Sequence, residues 1–125
     1  MQRIFKKGMI ICEEKENNDE LYILMEGKVG IYKGNVLIKE FDRMGTIIGE
    51  MSVILGLPRT ATIRATTDVK LLVHKADLDS LIKNNPDIVK KIVRSLAERL
   101  RDMTDDYYYL SEKMYVDKKE NKGNI

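Results

Sequence analysis

The sequence predicts a mainly β domain followed by a short helix and a long helix. Three observations support this fold class. Apolar and polar residues alternate through the first half, turn residues separate these runs at regular intervals, and the second half changes to a helical spacing. Short strands at such intervals are typical of a small antiparallel barrel or jelly roll. We place the β region at residues 1–75, the short helix at 76–84 and the long helix at 86–116.

The strands are predicted from alternating apolar residues and from the turns between them. A loop is expected at residues 17–19 and a tight hairpin at 33–35, because both are rich in Asn, Asp or Gly. Two further strands are expected at 61–65 and 69–73. The alternating positions in the first part are Leu21, Ile23 and Met25, then Val29 and Ile31, then Val36 and Ile38.

The long helix begins at Pro86, a residue well suited to the first helical position. Its apolar residues are separated by alternating steps of four and three, which is the spacing of a coiled-coil seam. This seam consists of Val89, Val93, Leu96, Leu100, Met103, Tyr107, Leu110 and Met114. The pattern predicts a homodimer formed through the long helix, with Tyr108 and Tyr109 on the surface.

Helix length also favours self-association. A helix over residues 86–116 would be roughly 45 Å long, whereas a compact chain of this size has a radius of gyration of about 14 Å. The far end of the helix therefore needs an external partner, unless the helix folds back onto its own barrel. Residues 117–125 are mostly Lys, Glu and Asn, and we expect a flexible charged tail there.

Composition excludes several classes of protein. The 125 residues suffice for one domain, 43% are hydrophobic, and no run is long enough to cross a membrane. The amino terminus does not resemble a secretory signal, and a single cysteine excludes an internal disulfide framework, so a cytoplasmic location is expected. A single histidine argues against a His-rich metal site. A net charge of +2 requires neither nucleic acid nor an anionic membrane as a partner.

Residues 49–61 carry the most informative motif, Gly-Glu-Met-Ser-Val-Ile-Leu-Gly-Leu-Pro-Arg-Thr-Ala. Gly49 and Glu50 open a short apolar segment, and the unpaired N–H groups at a helix start favour an anion. Nine residues after Glu50, Arg59 can hold phosphate oxygens through two parallel hydrogen bonds. Glu50 is compatible with a nearby phosphate only if it accepts from a hydroxyl. The motif therefore predicts a site for a sugar phosphate.

The motif resembles the phosphate-binding cassette of the cyclic nucleotide-binding domain, which occurs in catabolite activator protein and in cyclic nucleotide-dependent kinases and channels. The spacing from the Gly-Glu pair to the Arg-Thr-Ala triplet matches the kinase version without a gap. The resemblance extends over about residues 5–100 and includes Gly8, Gly27, Gly45 and the segment 20–27. It implies an eight-stranded antiparallel β-roll followed by a short helix and a long dimerisation helix.

The resemblance also implies a role for each cassette residue. Gly49 allows close backbone approach, and Glu50 accepts a hydrogen bond from the ribose 2′-hydroxyl. Arg59 neutralises the cyclic phosphate, while Thr60 and Ala61 donate to its oxygens. Ser52 is expected to be an exposed helix residue outside the site.

By resemblance to catabolite activator protein, residues of the long helix cover the purine base. Met103 and Thr104 lie over the base, with Leu100 and Ile31 as apolar walls. Thr104 either hydrogen-bonds the base edge, if necessary from the partner subunit, or faces water. Thr60 does not settle the ligand, because kinases that respond to cGMP and channels that favour cAMP both carry a threonine here. We expect cAMP, with cGMP as the alternative, and no metal.

These expectations describe a homodimeric, cytoplasmic sensing module without catalytic activity. The sequence contains no catalytic triad, paired catalytic carboxylates, metal-ligand spacing or triphosphate loop, and His74 is interpreted as a residue at a strand end. Cys12 is interpreted as a buried packing residue. Two alternatives stay open. In the first, the chain is the sensor half of a truncated transcription regulator. In the second, it is a dimerisation scaffold whose pocket no longer binds ligand.

Overall fold

The structure is a computed structural model that describes residues 1–75 and 77–123, with side chains described for 1–75 and 77–114. It divides into two units, Met1–Val89 and Lys90–Ile125. The elements in chain order are β1 Gln2–Phe5, β2 Ile10–Cys12, β3 Glu20–Glu26, β4 Val29–Lys33, β5 Val36–Phe41, β6 Ile47–Ile48, α1 Glu50–Leu55, β7 Thr62–Ala65, β8 Val69–Lys75, α2 Leu78–Asn84 and α3 Pro86–Gly123.

The first unit is built from two antiparallel sheets of four strands each. One sheet has the strand order β1-β8-β3-β6, and the other has the order β2-β7-β4-β5. The eight-stranded antiparallel β-roll followed by a short and a long helix is confirmed. The hairpin predicted at 33–35 connects β4 to β5, whose residues Lys33 and Val36 are paired.

The core of the first unit draws residues from both sheets. Tyr22 and Leu24 of β3 and Val29 of β4 have no exposed surface. Burying side chains of this size stabilises the fold by about 1.5–3 kcal/mol each. The cluster is completed by Phe5, Cys12, Ile48, Ile63, Ala65, Val69, Leu71 and Val73. Cys12 is 1% exposed, so the predicted packing role is confirmed.

The turn between β3 and β4 requires a glycine. Gly27 has a φ of +90°, a conformation that side chains with a Cβ rarely adopt. A Cβ at this position would lie 2.1 Å from the carbonyl oxygen of Asp68. The turn is therefore specified both by backbone conformation and by the absence of a side chain.

The two later helices begin at clear sequence signals. Asp77 caps α2 by accepting a 2.8 Å hydrogen bond from the amide of Ser80, and Pro86 opens α3 as predicted. Helix α3 continues to Gly123 instead of ending at Val116, because Lys, Glu and Asn in this stretch do not break a helix. The flexibility expected of residues 117–125 stays a prediction, and Ala76 lies outside the described residues. None of the described helices is both long and apolar enough to cross a bilayer.

Candidate functional site

The cassette segment forms a short helix between two left-handed glycines. Gly49 precedes α1 with a φ of 86°, and Gly56 ends the helix with a φ of 64°. The helix contacts β3, so it lies against the first sheet. No side-chain hydrogen bond caps the start of this helix. Such an end favours a bound anion.

Gly49 is required because the Arg59 side chain lies directly against it. A Cβ on Gly49 would be 2.5 Å from the Arg59 Nη1 and 3.4 Å from the Tyr22 ring. In this structure, the space beside this glycine is therefore occupied by the guanidinium of the same cassette.

The Arg59 side chain is buried, with 3% of its surface exposed. Its Nη1 donates to the carbonyl oxygen of Gly49 at 2.7 Å and to the Ser52 Oγ at 2.6 Å. Its Nη2 donates to the Asn18 Oδ1 at 2.9 Å and to the carbonyl oxygen of Glu20. These four acceptors, contributed by β3, α1 and the segments that precede them, hold the guanidinium in one position.

The expectation for Ser52 is wrong. Ser52 is 6% exposed instead of lying on the surface, and its hydroxyl contacts the cation of the site directly. The reason is that the first turn of α1 faces β3, so a residue two positions after Glu50 points inward. A serine at this position satisfies a buried N–H donor that an apolar residue would leave unpaired.

One hydrogen-bonding group of Arg59 stays without a partner. The Nε of Arg59 is buried and makes no hydrogen bond to any described residue. All four acceptors are uncharged, and no ion pair joins Arg59 to a carboxylate in the described part of the chain. The guanidinium carbon also lies 5.4 Å from the centre of the Tyr22 ring. A buried cation therefore keeps both its charge and one free donor, although buried charges are usually paired.

The backbone of Arg59 is fixed by the loop that precedes β3. The amide of Lys15 donates to the Arg59 carbonyl at 2.8 Å, and the Arg59 amide donates to the Glu16 carbonyl at 2.9 Å. Lys15 has a φ of 71°, an uncommon conformation for a residue other than glycine. This two-bond contact sets the position from which the Arg59 side chain reaches inward.

A second set of contacts supports the first. The Asn18 Nδ2 donates to the Tyr22 hydroxyl at 3.2 Å and to a Glu20 carboxylate oxygen at 3.4 Å. Glu20 forms an ion pair with Arg3 at 2.8 Å. Burial raises the pKa of Tyr22 to about 12, against the opposing effect of its hydrogen bond with Asn18. The Tyr22 hydroxyl is therefore neutral at physiological pH, and it donates to the same Glu20 carboxylate oxygen at 3.3 Å.

The other cassette residues, Glu50, Thr60 and Ala61, differ in their exposure. Glu50 is 3% exposed and occupies the first turn of α1, where the helix dipole stabilises a carboxylate. Thr60 is exposed and Ala61 is half-buried, just before β7 begins. In the described part of the chain, the amide of neither residue donates a hydrogen bond. Gly49 and Arg59 are thus in direct contact, the buried Glu50 follows Gly49, and Thr60 and Ala61 follow Arg59 in the chain.

The remaining predicted contacts lie in different parts of the chain. Ile31 belongs to β4 and packs, half-buried, against the core of the first unit. Leu100 and Met103 belong to the second unit and are 66% and 68% exposed. The Thr104 hydroxyl donates to the Leu100 carbonyl at 2.8 Å, one turn earlier in the same helix. A role of these residues at a base stays a prediction.

A polar cleft borders the site on the side of Asn18 and Ser52. Its volume is about 410 Å³, and it lies in the first unit. Sequence reasoning treated residues 17–19 only as a loop and missed their contact with Arg59. The run Asn-Asn-Asp before a strand is a signal for polar side chains beside a sheet edge, but it does not indicate which residue reaches the cation. The cleft is lined by Asn17, Asn18, Asp19, Ser52, Val53, Gly56, Leu57, Lys75 and Asp77.

Comparison with known proteins identifies the family. The profile of the cyclic nucleotide-binding domain matches residues 2–85, which include the whole cassette. This chain belongs to the cyclic nucleotide-binding domain family. A cyclic nucleotide-gated potassium channel of Rhizobium etli is 33% identical over 98 residues, covering 78% of this chain and 27% of the channel.

Solved structures agree with this membership. The crystal structure of the Thermus thermophilus catabolite activator protein has a TM-score of 0.72 at 26% identity, covering 89% of this chain and 55% of that protein. The cAMP-bound structure of an EAL enzyme has a TM-score of 0.60 at 30% identity, covering 84% of this chain and 30% of that enzyme. The chain thus spans only about a quarter of the channel and about half of the Thermus protein.

Among residues whose side chains are described, no group of three or more His, Cys, Asp or Glu could hold a metal ion.

Proposed function

We propose that this chain is a cyclic nucleotide sensing module that binds cAMP or cGMP at the cassette and changes the position of its long helix in response. The observation that carries the proposal is the buried Arg59 guanidinium, which is held by neutral acceptors and retains an unpaired Nε–H. An anion beside this group supplies the missing acceptor and the missing charge together.

The number of charges favours a cyclic phosphate. A cyclic phosphodiester carries a single negative charge, which matches a single buried cation. Its oxygens accept from the Arg59 Nε–H and from the amides of Thr60 and Ala61, while the uncapped start of α1 adds a favourable dipole. A linear 5′-monophosphate brings a second, partial charge at neutral pH and is disfavoured beside the Glu50 carboxylate.

Glu50 supplies selectivity for the sugar. Its side chain is 3% exposed, so water competes weakly for it, and a ribose 2′-hydroxyl is a suitable donor to a carboxylate. A 2′-deoxyribose analogue cannot make this hydrogen bond to the carboxylate, so it gains less binding free energy at the site. We therefore infer that Glu50 separates ribose from deoxyribose ligands.

The base contacts and the dimer are the part of the proposal that concerns α3. Leu100, Met103 and Thr104 offer an apolar surface with one hydroxyl to a purine, and Ile31 offers a further apolar wall. For Thr104 to reach the base, its hydroxyl must leave the Leu100 carbonyl or share its proton. Several seam side chains are 56–74% exposed, and a second copy of α3 would bury them; they are Val93, Leu100, Met103, Tyr107, Leu110 and Met114.

The output is a shift between two positions of the long helix. A ligand changes this equilibrium only through different affinities for the two states. Because the proposed ligand contacts come from the cassette and from α3, the ligand favours the state in which both sets of contacts form. Binding and signalling, without catalysis, are the activity that we assign.

Thermal unfolding of the purified chain with a panel of nucleotides tests the proposal. The melting temperature should rise with cAMP and cGMP at millimolar concentration, because a ligand that binds only the folded state stabilises it. It should stay unchanged with 5′-AMP and rise much less with 2′-deoxy-cAMP. The Glu50→Ala variant should respond equally to the ribose and deoxyribose forms. A melting temperature indifferent to both cyclic nucleotides would instead support a scaffold that no longer binds ligand.

A further inference from the structure

The Asn18 side chain makes four hydrogen bonds at the site, and no sequence motif indicated them. Its Oδ1 accepts from the Arg59 Nη2 at 2.9 Å and from the Glu20 amide at 2.7 Å. Its Nδ2 donates to the Tyr22 hydroxyl and to a Glu20 carboxylate oxygen. A flipped amide would direct an NH₂ group at the guanidinium and an oxygen at the Glu20 carboxylate, so this network fixes the orientation of the amide.

Asn18 is uncharged, which distinguishes it from a carboxylate as the partner of a buried arginine. A carboxylate at this distance would neutralise the cation and compete with an anionic ligand. The amide oxygen instead satisfies one donor of the guanidinium and leaves its charge in place. The other three acceptors, two backbone carbonyls and the Ser52 hydroxyl, have the same property.

We infer that Asn18 is a positioning residue of the phosphate site: an uncharged acceptor that fixes the Arg59 guanidinium and preserves its charge for a phosphodiester. This inference rests on the proposed function and names a determinant of its affinity. Asn18 acts through Arg59 and does not itself contact the ligand.

Asn17, the preceding residue of the same loop, offers a matched control for adding a negative charge at Asn18. Asn17 lines the same cleft and is exposed, and no hydrogen bond joins its side chain to Arg59 in the described part of the chain. Asn17→Asp therefore adds the same charge one residue away from the amide that holds the cation. A general effect of negative charge on this loop would appear in both variants.

The test measures binding of two probes by calorimetry to the full chain. One probe is cAMP, and the other is its uncharged methyl triester, so the ratio of their dissociation constants reports the contribution of the ligand's charge. Asn18→Ala should weaken cAMP binding about tenfold through the lost hydrogen bond to a charged group. Asn18→Asp should weaken it about a hundredfold and bring the ratio close to one, because it also neutralises the cation. Asn17→Asp should leave both constants within about twofold.

The outcomes separate this inference from the proposed function. If the unmodified chain binds no cyclic nucleotide, the proposed function fails. If it binds and Asn18→Asp weakens both probes equally, Asn18 has only a structural role and the inference is wrong. It is also wrong if Asn18→Asp binds cAMP at least as tightly as Asn18→Ala does, or if Asn17→Asp reproduces its effect. Should Asn18→Asp not fold, the change of the ratio in Asn18→Ala, expected to be smaller but in the same direction, decides the question.

Discussion

The cassette buries its functional side chains, whereas the long helix exposes the side chains of its seam. In the cassette, Glu50, Ser52 and Arg59 are each at most 6% exposed, and the guanidinium is held by four acceptors from the same unit. In α3, seam residues such as Leu100 and Tyr107 are 66% and 74% exposed. The cassette is thus preorganised within one chain, whereas the apolar surface of α3 has no such coverage.

This difference indicates which property each region contributes. A buried, fixed cation gives affinity for one small anion, because little ordering is needed when the ligand binds. An exposed apolar seam gives sensitivity to a second macromolecule and to concentration. Substitutions in the cassette should therefore change ligand affinity, and substitutions in the seam should change association.

The largest effect is expected for Arg59→Lys. Lysine has no Nε–H fork and cannot satisfy the Gly49, Ser52 and Asn18 acceptors together, so cyclic nucleotide affinity should fall more than about a hundredfold. Calorimetry with cAMP measures this loss. Arg64→Lys is the matched control, because Arg64 is an exposed arginine on β7 and should bind cAMP normally. Equal affinity in the two variants would contradict the role assigned to Arg59.

The next effect concerns the backbone of the cassette. Gly49→Ala combines a left-handed φ with a Cβ 2.5 Å from the Arg59 Nη1, and should lower the free energy of unfolding by about 3 kcal/mol while weakening cAMP binding. Gly45→Ala is a control with a nearly identical φ of +89° and no atom within 4 Å of the new Cβ. It should lose only about 1–2 kcal/mol from backbone strain and keep its affinity. Urea unfolding gives both values, and a Gly49→Ala loss no larger than the control would contradict the packing argument.

The two regions also differ in how far sequence could predict them. The strands, the hairpin at 33–35 and the start of α3 at Pro86 follow from local periodicity and turn chemistry, and the structure agrees with them. The contact of Asn18 with Arg59 joins residues 41 positions apart in sequence, and the buried position of Ser52 depends on the packing of α1 against β3. Local patterns do not contain such contacts. The close approach of a ligand to Gly49 stays a prediction, and only the fold shows that the Arg59 side chain lies against this glycine.

Disrupting the seam should affect association more than ligand affinity. Val93→Glu with Tyr107→Glu places charges on the proposed dimer surface, away from the proposed base contacts, and should raise the dimer dissociation constant at least about tenfold. Sedimentation velocity at several concentrations measures it. Arg101 is exposed and lies between seam positions, so Arg101→Glu serves as the charge control. This variant should retain the dimer. A chain that is monomeric at all concentrations without any substitution would remove the dimer from the proposal.

The smallest effect is a dependence of stability on alkaline pH. Burial raises the pKa of Cys12 from 9.0 to about 11, against an opposing effect of Arg59. The folded state therefore keeps the thiol neutral, and its contribution is complete below pH 9.0 and is lost as pH rises towards about 11. Between pH 8 and 10, this group should remove about 1 kcal/mol from the free energy of unfolding. Cys12→Val should lack that part of the slope; an identical slope in both proteins would contradict the assignment.

The Arg59 Nε–H is the free donor that we propose receives the ligand's phosphate. Nitrogen-15 NMR of the labelled protein observes this group directly during a titration with cAMP. We predict that the Arg59 Nε resonance moves on addition of cAMP, and that it does not move with adenosine at the same concentration. A resonance unchanged at saturating cAMP, while other resonances report binding, would contradict the account.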